Sequence, residues 1–424
     1  MNMTYIDCYY ARTATPTEPR APLSGEIEAE TCVVGGGLAG LSTALSLAER
    51  GKDVVLVEAR RIGWGASGRN GGFLSSGFAC DISSLVERVG LAQTRALYAL
   101  TVDAVAHVKR RVAEYDIDCD LRETGGLKCW WTPDVEAARA EQEYVADILG
   151  RELEFWPREK VRQHLTSPRY HHALFRRDAA QFHPLNYAIG IGRALEAKGG
   201  RVFEASPVTG IALERPEKVV RTPAGRVRAK TVVIACGGYI DGLEPRVSAA
   251  LQPIATYVMV TEPLQDRLRE VVRTDATVID SRFDFDYWRA LPDTRLLWGG
   301  GVSTRRTEPH NLEEIMLKKL LAVFPQLRGI RIETAWGGLM GYARHRMLQI
   351  GQLEPGSWYA AGFGGHGMAT TTLAGELIAA AIADGDDRYR MFAPFGLDWA
   401  GGPFGRAYAQ AVIWYYAVRD WVRR

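Results

Sequence analysis

The stretch "ETCVVGGGLAGLSTALSLAERGKDVVLVE", residues 30–58, decides the fold. Residues 30–34 read as a short apolar strand, "LSTALSLAERG" as a helix stopped by Gly51, and "DVVLVE" as a second strand ending in Glu58. Together they make a βαβ unit around a G-x-G-x-x-G turn. Gly35 allows the tight turn, Gly37 lets backbone approach a pyrophosphate, and Gly40 lets the helix meet the strand. The N–H groups and dipole of a helix opening at Leu38 and Ala39 then face the phosphates. Glu58 stands eighteen residues after Gly40. A carboxylate there accepts hydrogen bonds from ribose hydroxyls and repels an additional 2′-phosphate.

The same glycine spacing recurs as "GFGGHG", residues 362–367. A second nucleotide site would need another strand and an acidic ribose ligand after its helix. "DGDDRYRMFAPFG", residues 384–396, offers no strand, so one dinucleotide is expected and the late match has another task.

Length and composition set the frame. The 424 residues suit two connected domains, and 47% hydrophobic with 24% charged residues is ordinary globular composition. Lys plus Arg number 52 against 50 for Asp plus Glu, too even a balance to imply nucleic acid as a partner. The six cysteines (8, 32, 80, 119, 129 and 236) show no C-x-x-C pair and no zinc spacing, and read as free thiols in a reduced compartment. His164, His171, His172 and His183 lack a helix-face pair with an acid between them, so no metal is expected. The N-terminus lacks the apolar run of a signal peptide, and no stretch approaches the ~20 apolar residues of a membrane span, which points to a cytoplasmic protein. The tail "AVIWYYAVRDWVRR", with Trp414, Tyr415, Trp421 and two closing arginines, suits either a helix packed on its own domain or peripheral contact with an anionic inner-membrane surface.

After the opening unit the chain is mostly helical from about 86 to 170. Strands follow at "GRVFEASPVTGIALE" and "AKTVVIACGG", then long antiparallel strands at "QPIATYVMVTEP" and "DYWRALPDTRLLWGGG", the helix "LEEIMLKKLLAVF", and a closing strand, turn and helix. Directly after Glu58 comes "ARRIGWGASGRNGG", a glycine- and serine-rich loop that suits a cofactor longer than its adenosine half.

With these motifs the chain resembles the FAD-dependent amine and amino-acid oxidoreductases of the D-amino-acid oxidase superfamily over nearly its entire length. The supports are residues 33–72, "QFHPLNYAIGIGRALEAKGGRVFEASPVTGI", "VVIACGGY" and "WYAAGFGGHGM". "GWGASGRNGG", "HPLN" and the aromatic tail are most similar to the bacterial gamma-glutamylputrescine branch.

The resemblance implies an α/β (α+β) fold: a Rossmann-type FAD-binding domain of the glutathione-reductase-like class, interleaved with a mainly antiparallel substrate domain. Residues 26–85, 171–248 and 336–424 would form the first, and 86–170 and 249–335 the second. Glu58, Ala59 and Arg60 would hold the adenosine. Ala66, Ser67, Gly68, Arg69, Asn70, Gly71 and Gly72 would line pyrophosphate and flavin, and Val208 with Cys236, Gly237 and Gly238 would close the adenine side. The late turn (Gly362, Gly364, Gly365, His366, Gly367, Met368) would aim a positive helix end at the flavin pyrimidine edge, where negative charge collects on reduction.

The implied reaction is oxidation of a carbon–nitrogen bond of a small amine or amino acid by hydride transfer to flavin N5, then hydrolysis. No NAD(P)H is needed with a single nucleotide fold. Two departures from the sarcosine-oxidase pattern stand out. Ala369 occupies the place of an oxygen-assisting lysine, which leaves quinone beside oxygen as the electron acceptor. No cysteine follows residue 236, so FAD is expected to be non-covalent.

Tyr257, Tyr287, Arg344 and His366 are the candidate pocket residues, with Arg289 sharing the strand face of Tyr287. For Tyr287 a core role is the alternative, and for His366 a structural hydrogen bond. Arg344 or Arg282 would clamp a substrate carboxylate bidentately if the substrate is an amino acid such as proline, pipecolate, sarcosine or glycine. Asp284 and Asp286 suit either selection of a cationic amine or a solvated edge strand. Two rival readings are a flavoprotein acting on modified tRNA, disfavoured by the charge balance, and a non-catalytic FAD-stabilised subunit.

Overall fold

The apolar run ahead of the first glycine turn belongs to a ten-residue strand, Gly25–Val34, whose last four residues are buried. It lies parallel to Val54–Val57 on one side and to Gly225–Ile234 on the other. This is a computed structural model, and it describes residues 4–214 and 216–422. The strands Arg201–Phe203 and Ser357–Ala361 extend the parallel sheet at its two ends, and Gln349–Glu354 closes one edge antiparallel. Because both faces of these strands are covered, they read as unbroken apolar runs such as "VVLV". One face carries the helices Leu38–Glu49, Pro184–Ala197, Gly367–Asp384 and part of Ile82–Glu114, packed as one core. The other face carries the short strands Gly210–Ala212 and Lys218–Arg221.

A second eight-stranded sheet runs in the order Ile332–Tyr342, Gln252–Thr261, Leu296–Ser303, Tyr287–Ala290, Thr277–Asp280, Gly126–Cys129, Ala173–Arg176, Glu154–Trp156. All its pairs are antiparallel except Thr277–Asp280 with Gly126–Cys129. The helix Leu312–Val323 buries Leu312, Met316, Leu320 and Val323, spaced three or four apart, against one face of it.

The structure draws the divisions differently from the sequence boundaries. Ala173–Arg176 and Ile332–Tyr342 are strands of the second sheet, although 171–248 and 336–424 were expected in the first domain. The helix Ile82–Glu114, expected in the substrate domain, places Leu97, Ala104, Val105 and Val108 in the core of the first. The stretch read as helical from 86 to 170 also contains the strands Gly126–Cys129 and Glu154–Trp156, too short to carry a visible alternation.

The C-terminal helix, Gly402–Val422, lies against the second sheet. Gln410 accepts hydrogen bonds from both N–H and Oγ1 of Thr304 (3.1 and 2.9 Å), Asp420 accepts one from the Phe283 N–H (3.0 Å), and Tyr416 stacks on Phe283 at 3.9 Å. Its other face leaves Phe404, Tyr408, Trp414, Tyr415 and Val418 more than half exposed. The Trp421 side chain and the closing Arg423 and Arg424 lie outside the described residues. Among the described residues no helix is long and apolar enough to cross a membrane.

Candidate active site

The first glycine turn is built around two close approaches. A Cβ on Gly40 would sit 1.9 Å from the Gly35 carbonyl oxygen, and one on Gly35 would sit 2.7 Å from the Ala235 oxygen. Only glycines let the helix start this near to both strands. The helix Leu38–Glu49 begins with no side-chain cap and no acid in its first turn. Its mouth, with no negative charge of its own, suits a phosphate. Glu58 leaves the end of its strand to accept from the N–H groups of Gly36 (2.6 Å) and Arg60 (2.8 Å). Burial pushes its carboxyl above the usual range, and those two N–H groups pull the other way. A carboxylate has about four acceptor positions, so capacity for ribose hydroxyls remains. Ala59 is exposed beside it, Val208 is half-buried, and Gly237–Tyr239 form a short 3₁₀ turn after Cys236.

From Glu58 the loop runs from one helix mouth to another. Ser67 Oγ accepts from the Leu38 N–H at 2.9 Å, which ties the loop to the first mouth. Asn70 donates to the carbonyls of Ala66 and Ser67 (3.0 Å each) and accepts from Gly72 N–H (2.8 Å), so its side chain shapes the loop instead of pointing away. Trp64 lies between two cations, Arg60 at 4.1 Å and Arg69 at 4.5 Å from its ring centre. Further on, a Cβ on Gly77 would lie 3.7 Å from His366 Nε2, and one on Gly364 would lie 2.9 Å from the Ala79 Cβ. Residues 67 and 77 therefore touch different mouths, and Arg69, Asn70, Gly71 and Gly72 lie between them.

The second mouth opens the helix Gly367–Asp384, again without a side-chain cap and without an acid in the first turn. The two helices cross in direct contact: a Cβ on Gly375 would lie 2.6 Å from the Thr43 nitrogen, and Ser42 faces Thr372 at 3.4 Å. At 1.5 Å rise per residue both mouths are within about 12 Å of that crossing. His366 Nε2 is buried with no hydrogen-bond partner, an atom left for a ligand to satisfy. Burial, with the nearby Arg176 cation, pushes this imidazole down to about 4, while the Ser75 and Ser76 carbonyls act in the opposite direction. Gly362, Gly364 and Gly365 turn the chain through left-handed backbone angles, and Met368 and Ala369 are buried behind them. A buried acid at the end of the second strand, an acid-free helix mouth, a connecting loop and a second mouth with an orphaned ring nitrogen are an arrangement that an extended FAD would fit.

The second sheet supplies one wall. Tyr287 lays its ring over Gly299, where a Cβ would come within 2.0 Å of Cζ, and over Gly71, at 2.8 Å. Its hydroxyl pairs with the Thr256 side chain, and burial raises its pKa. Phe73 meets it edge-on at 5.6 Å. Tyr342 ends its strand in a bridge to Phe363, and a Cβ on Gly365 would lie 3.2 Å from its hydroxyl and 2.8 Å from Met340 Sδ. Tyr342, Met340 and Thr256 were not singled out in the sequence. Alternation could have found the first two, since Met340 and Tyr342 share a face of "GGLMGY".

Other candidates lie elsewhere. Tyr257 is one residue out of phase with Thr256 and joins the core with Met259 and Met316 beneath the helix Leu312–Val323. Arg344 is exposed in the turn after Tyr342. Arg282 is held by Asp280 and by Asp286 at 2.7 Å, while Lys319 takes Asp284 at 3.1 Å and Asp286 at 3.0 Å, so these acids and bases satisfy one another. Arg289 is buried behind Gly72. His164, His172 and His183 are spread over separate contacts, with Trp156, Phe155 and the start of the helix Pro184–Ala197.

The comparisons agree with this geometry. The FAD dependent oxidoreductase family model matches residues 30–381. Gamma-glutamylputrescine oxidoreductase of Escherichia coli is 38% identical over 98% of this chain and 98% of its own, and probable oxidoreductase OrdL of Haemophilus influenzae is 31% identical over 92% and 90%. Among solved structures, glycine oxidase from Geobacillus kaustophilus superposes with a TM-score of 0.72 at 22% identity, covering 88% of this chain and 99% of its own. L-proline dehydrogenase from P. horikoshii gives 0.70 at 20%, covering 87% and 96%. The chain belongs to the FAD-dependent oxidoreductase family.

Proposed function

We propose that this protein oxidises the carbon–nitrogen bond of a small amine of the gamma-glutamylputrescine type to an imine, which water splits into an aldehyde and ammonia. Bound FAD supplies the two-electron acceptor at its N5. The observation that carries the choice of an amine whose reacting carbon bears no carboxylate, over an alpha-amino acid, is the fate of the two arginines that suit a carboxylate clamp. Arg282 is spent on two buried aspartates and Arg344 points to solvent. Tyr287, Tyr342, Met340 and Thr256 offer instead an aromatic and weakly polar wall, suited to a neutral amine with its reacting carbon held dry. Burial keeps both phenols protonated as hydrogen-bond donors, and His366 is uncharged at neutral pH. Similarity over nearly the full length to a gamma-glutamylputrescine oxidoreductase supports the same class.

Anaerobic bleaching of the flavin absorbance across a panel of amines and amino acids tests this. Bleaching by gamma-glutamylputrescine and related diamines, with proline, pipecolate, sarcosine and glycine silent, is the expected result. Bleaching by the amino acids alone would replace the reading with the amino-acid one.

A specific feature favours quinone over oxygen as the acceptor, and with it contact between the tail and a membrane. The exposed aromatic face of Gly402–Val422 is the type of surface that rests at a lipid interface. A cavity of about 480 Å³ lies between its first turn and Gly237–Gly238, lined also by Arg306 and Arg406. Comparing peroxide yield with quinone reduction, with and without vesicles of anionic lipid, decides it. Stoichiometric peroxide and no vesicle binding would favour oxygen.

A further inference from the structure

A charge buried without a counter-charge is costly, and Arg289 is one. It is 2% exposed, and its partners are neutral: Gln181 Oε1 at 2.9 Å, the Phe182 carbonyl at 3.0 Å and the Tyr10 hydroxyl at 3.2 Å. Its Nε is buried with no partner. Asp118 and Asp120 share a pocket of about 210 Å³ with it, yet neither forms an ion pair with it, and Asp120 pairs with Arg122 at 3.3 Å. The neighbouring His183 brings no negative charge: burial and the guanidinium push that imidazole down to about 4, leaving it neutral. Arg282, Arg176 and Arg111 differ, each being bonded to a carboxylate.

What Arg289 does touch is the cofactor loop. A Cβ on Gly72 would lie 2.8 Å from its Nη2 and 3.3 Å from Cζ, so the Gly72 backbone rests on the guanidinium. Tyr287, two residues before it on the same strand face, covers Gly71. The loop here is midway between the two helix mouths. Resting on the FAD reading above, we propose that Arg289 is a positioning residue whose buried charge, acting through the thin Gly71–Gly72 backbone, favours the electron-rich reduced flavin and so raises its reduction potential. Neutral hydrogen-bond partners leave the charge without a counter-ion in contact, and burial lets it act across one peptide layer. Glycine at residue 72 keeps that layer thin.

The test is redox potentiometry of the FAD-loaded protein. Arg289→Gln should lower the two-electron midpoint so that the ratio of reduced to oxidised flavin at a fixed potential falls at least tenfold, about 30 mV. Arg289→Lys should retain most of the wild-type value, because charge and not fork geometry is what acts. Gln181→Glu, which sets a carboxylate against the guanidinium without removing it, should lower the midpoint in the same direction and serves if Arg289→Gln does not fold. Tyr10→Phe removes a neutral partner and should leave the midpoint where it is. A midpoint unchanged in both Arg289→Gln and Gln181→Glu, with FAD bound, overturns the inference. Wild-type protein that takes up no FAD at all would instead overturn the flavin reading beneath it.

Discussion

The two glycine turns share one spacing, G-x-G-x-x-G, and the two helices behind them share uncapped, acid-free first turns. What surrounds them differs. At the first, glycines are fixed by backbone: Gly40 against the Gly35 oxygen and Gly35 against the Ala235 oxygen, with Glu58 behind. At the second, the nearest atoms to Gly365 are the ends of side chains, Met340 Sδ and the Tyr342 hydroxyl, and a neutral imidazole replaces the acid. A backbone-walled turn reads a constant part of a ligand, its phosphates. A side-chain-walled turn belongs where chemistry and substrate vary.

Substituting one glycine in each turn gives the largest contrast. Gly40→Ala drives a methyl into a backbone oxygen that cannot move without opening the turn, so a loss of about 3 kcal/mol or more and no FAD uptake is expected. Gly365→Ala meets movable atoms and a left-handed backbone at φ 80°, for a cost of about 1–2 kcal/mol with FAD retained. Denaturant melts and flavin absorbance of the purified variants measure both. Equal losses at the two sites would erase the distinction between the turns.

The crossing of the two helices comes next. Gly375→Val presses on the Thr43 backbone nitrogen and should shift both mouths together, lowering FAD affinity and the rate of flavin reduction alike. A variant that changes only one of the two would show that the mouths are not coupled through this contact.

Smaller and more selective effects separate the acid from the imidazole. Glu58→Gln keeps the shape but weakens hydrogen bonds to an anion worth about 1.5–3 kcal/mol, so FAD should bind roughly 10- to 100-fold more weakly. His366→Leu should leave FAD affinity within a few-fold and slow anaerobic reduction by the amine about tenfold. Titration calorimetry and stopped-flow absorbance read the two quantities separately, and a reversal of the pattern would exchange the roles assigned to the mouths.

How much of this was legible in the sequence follows the same division. The first unit could be read outright because strand, glycines, helix and acid are consecutive, and each requirement is local. The late turn was legible as a strand, turn and helix for the same reason, and its different task from the lack of a following strand. The wall proposed for the substrate was harder. Tyr287 was found by type, but Thr256, Met340 and Tyr342 come from strands that meet only in the folded sheet. Tyr257 was chosen on the wrong phase of its strand, a one-residue matter that decides which face a side chain takes. Arg282 looked free because its partners, Asp280 and Asp286, close on it through a turn whose path no periodicity announces.

The imidazole at the late mouth also leaves a mark on stability, opposite in sense to that of Glu58, whose raised carboxyl loses stability as pH rises. His366 is held down to about 4 in the folded protein, against about 6.5 when unfolded. Between those values the unfolded chain binds a proton that the folded one refuses, so stability falls as pH drops from about 6.5 towards 4 and is flat above. His183 and His107, also pushed down to about 4, act in the same sense. Each contributes at most one proton, or about 1.4 kcal/mol per pH unit within the window. Removing one should therefore flatten the acid limb by that share without changing stability's independence of pH above 7. Denaturant melts of wild type and His366→Leu at a series of pH values between 4 and 8 give the two slopes. Parallel acid limbs would mean that His366 already carries its proton in the folded protein, and the uncharged mouth would have to be abandoned.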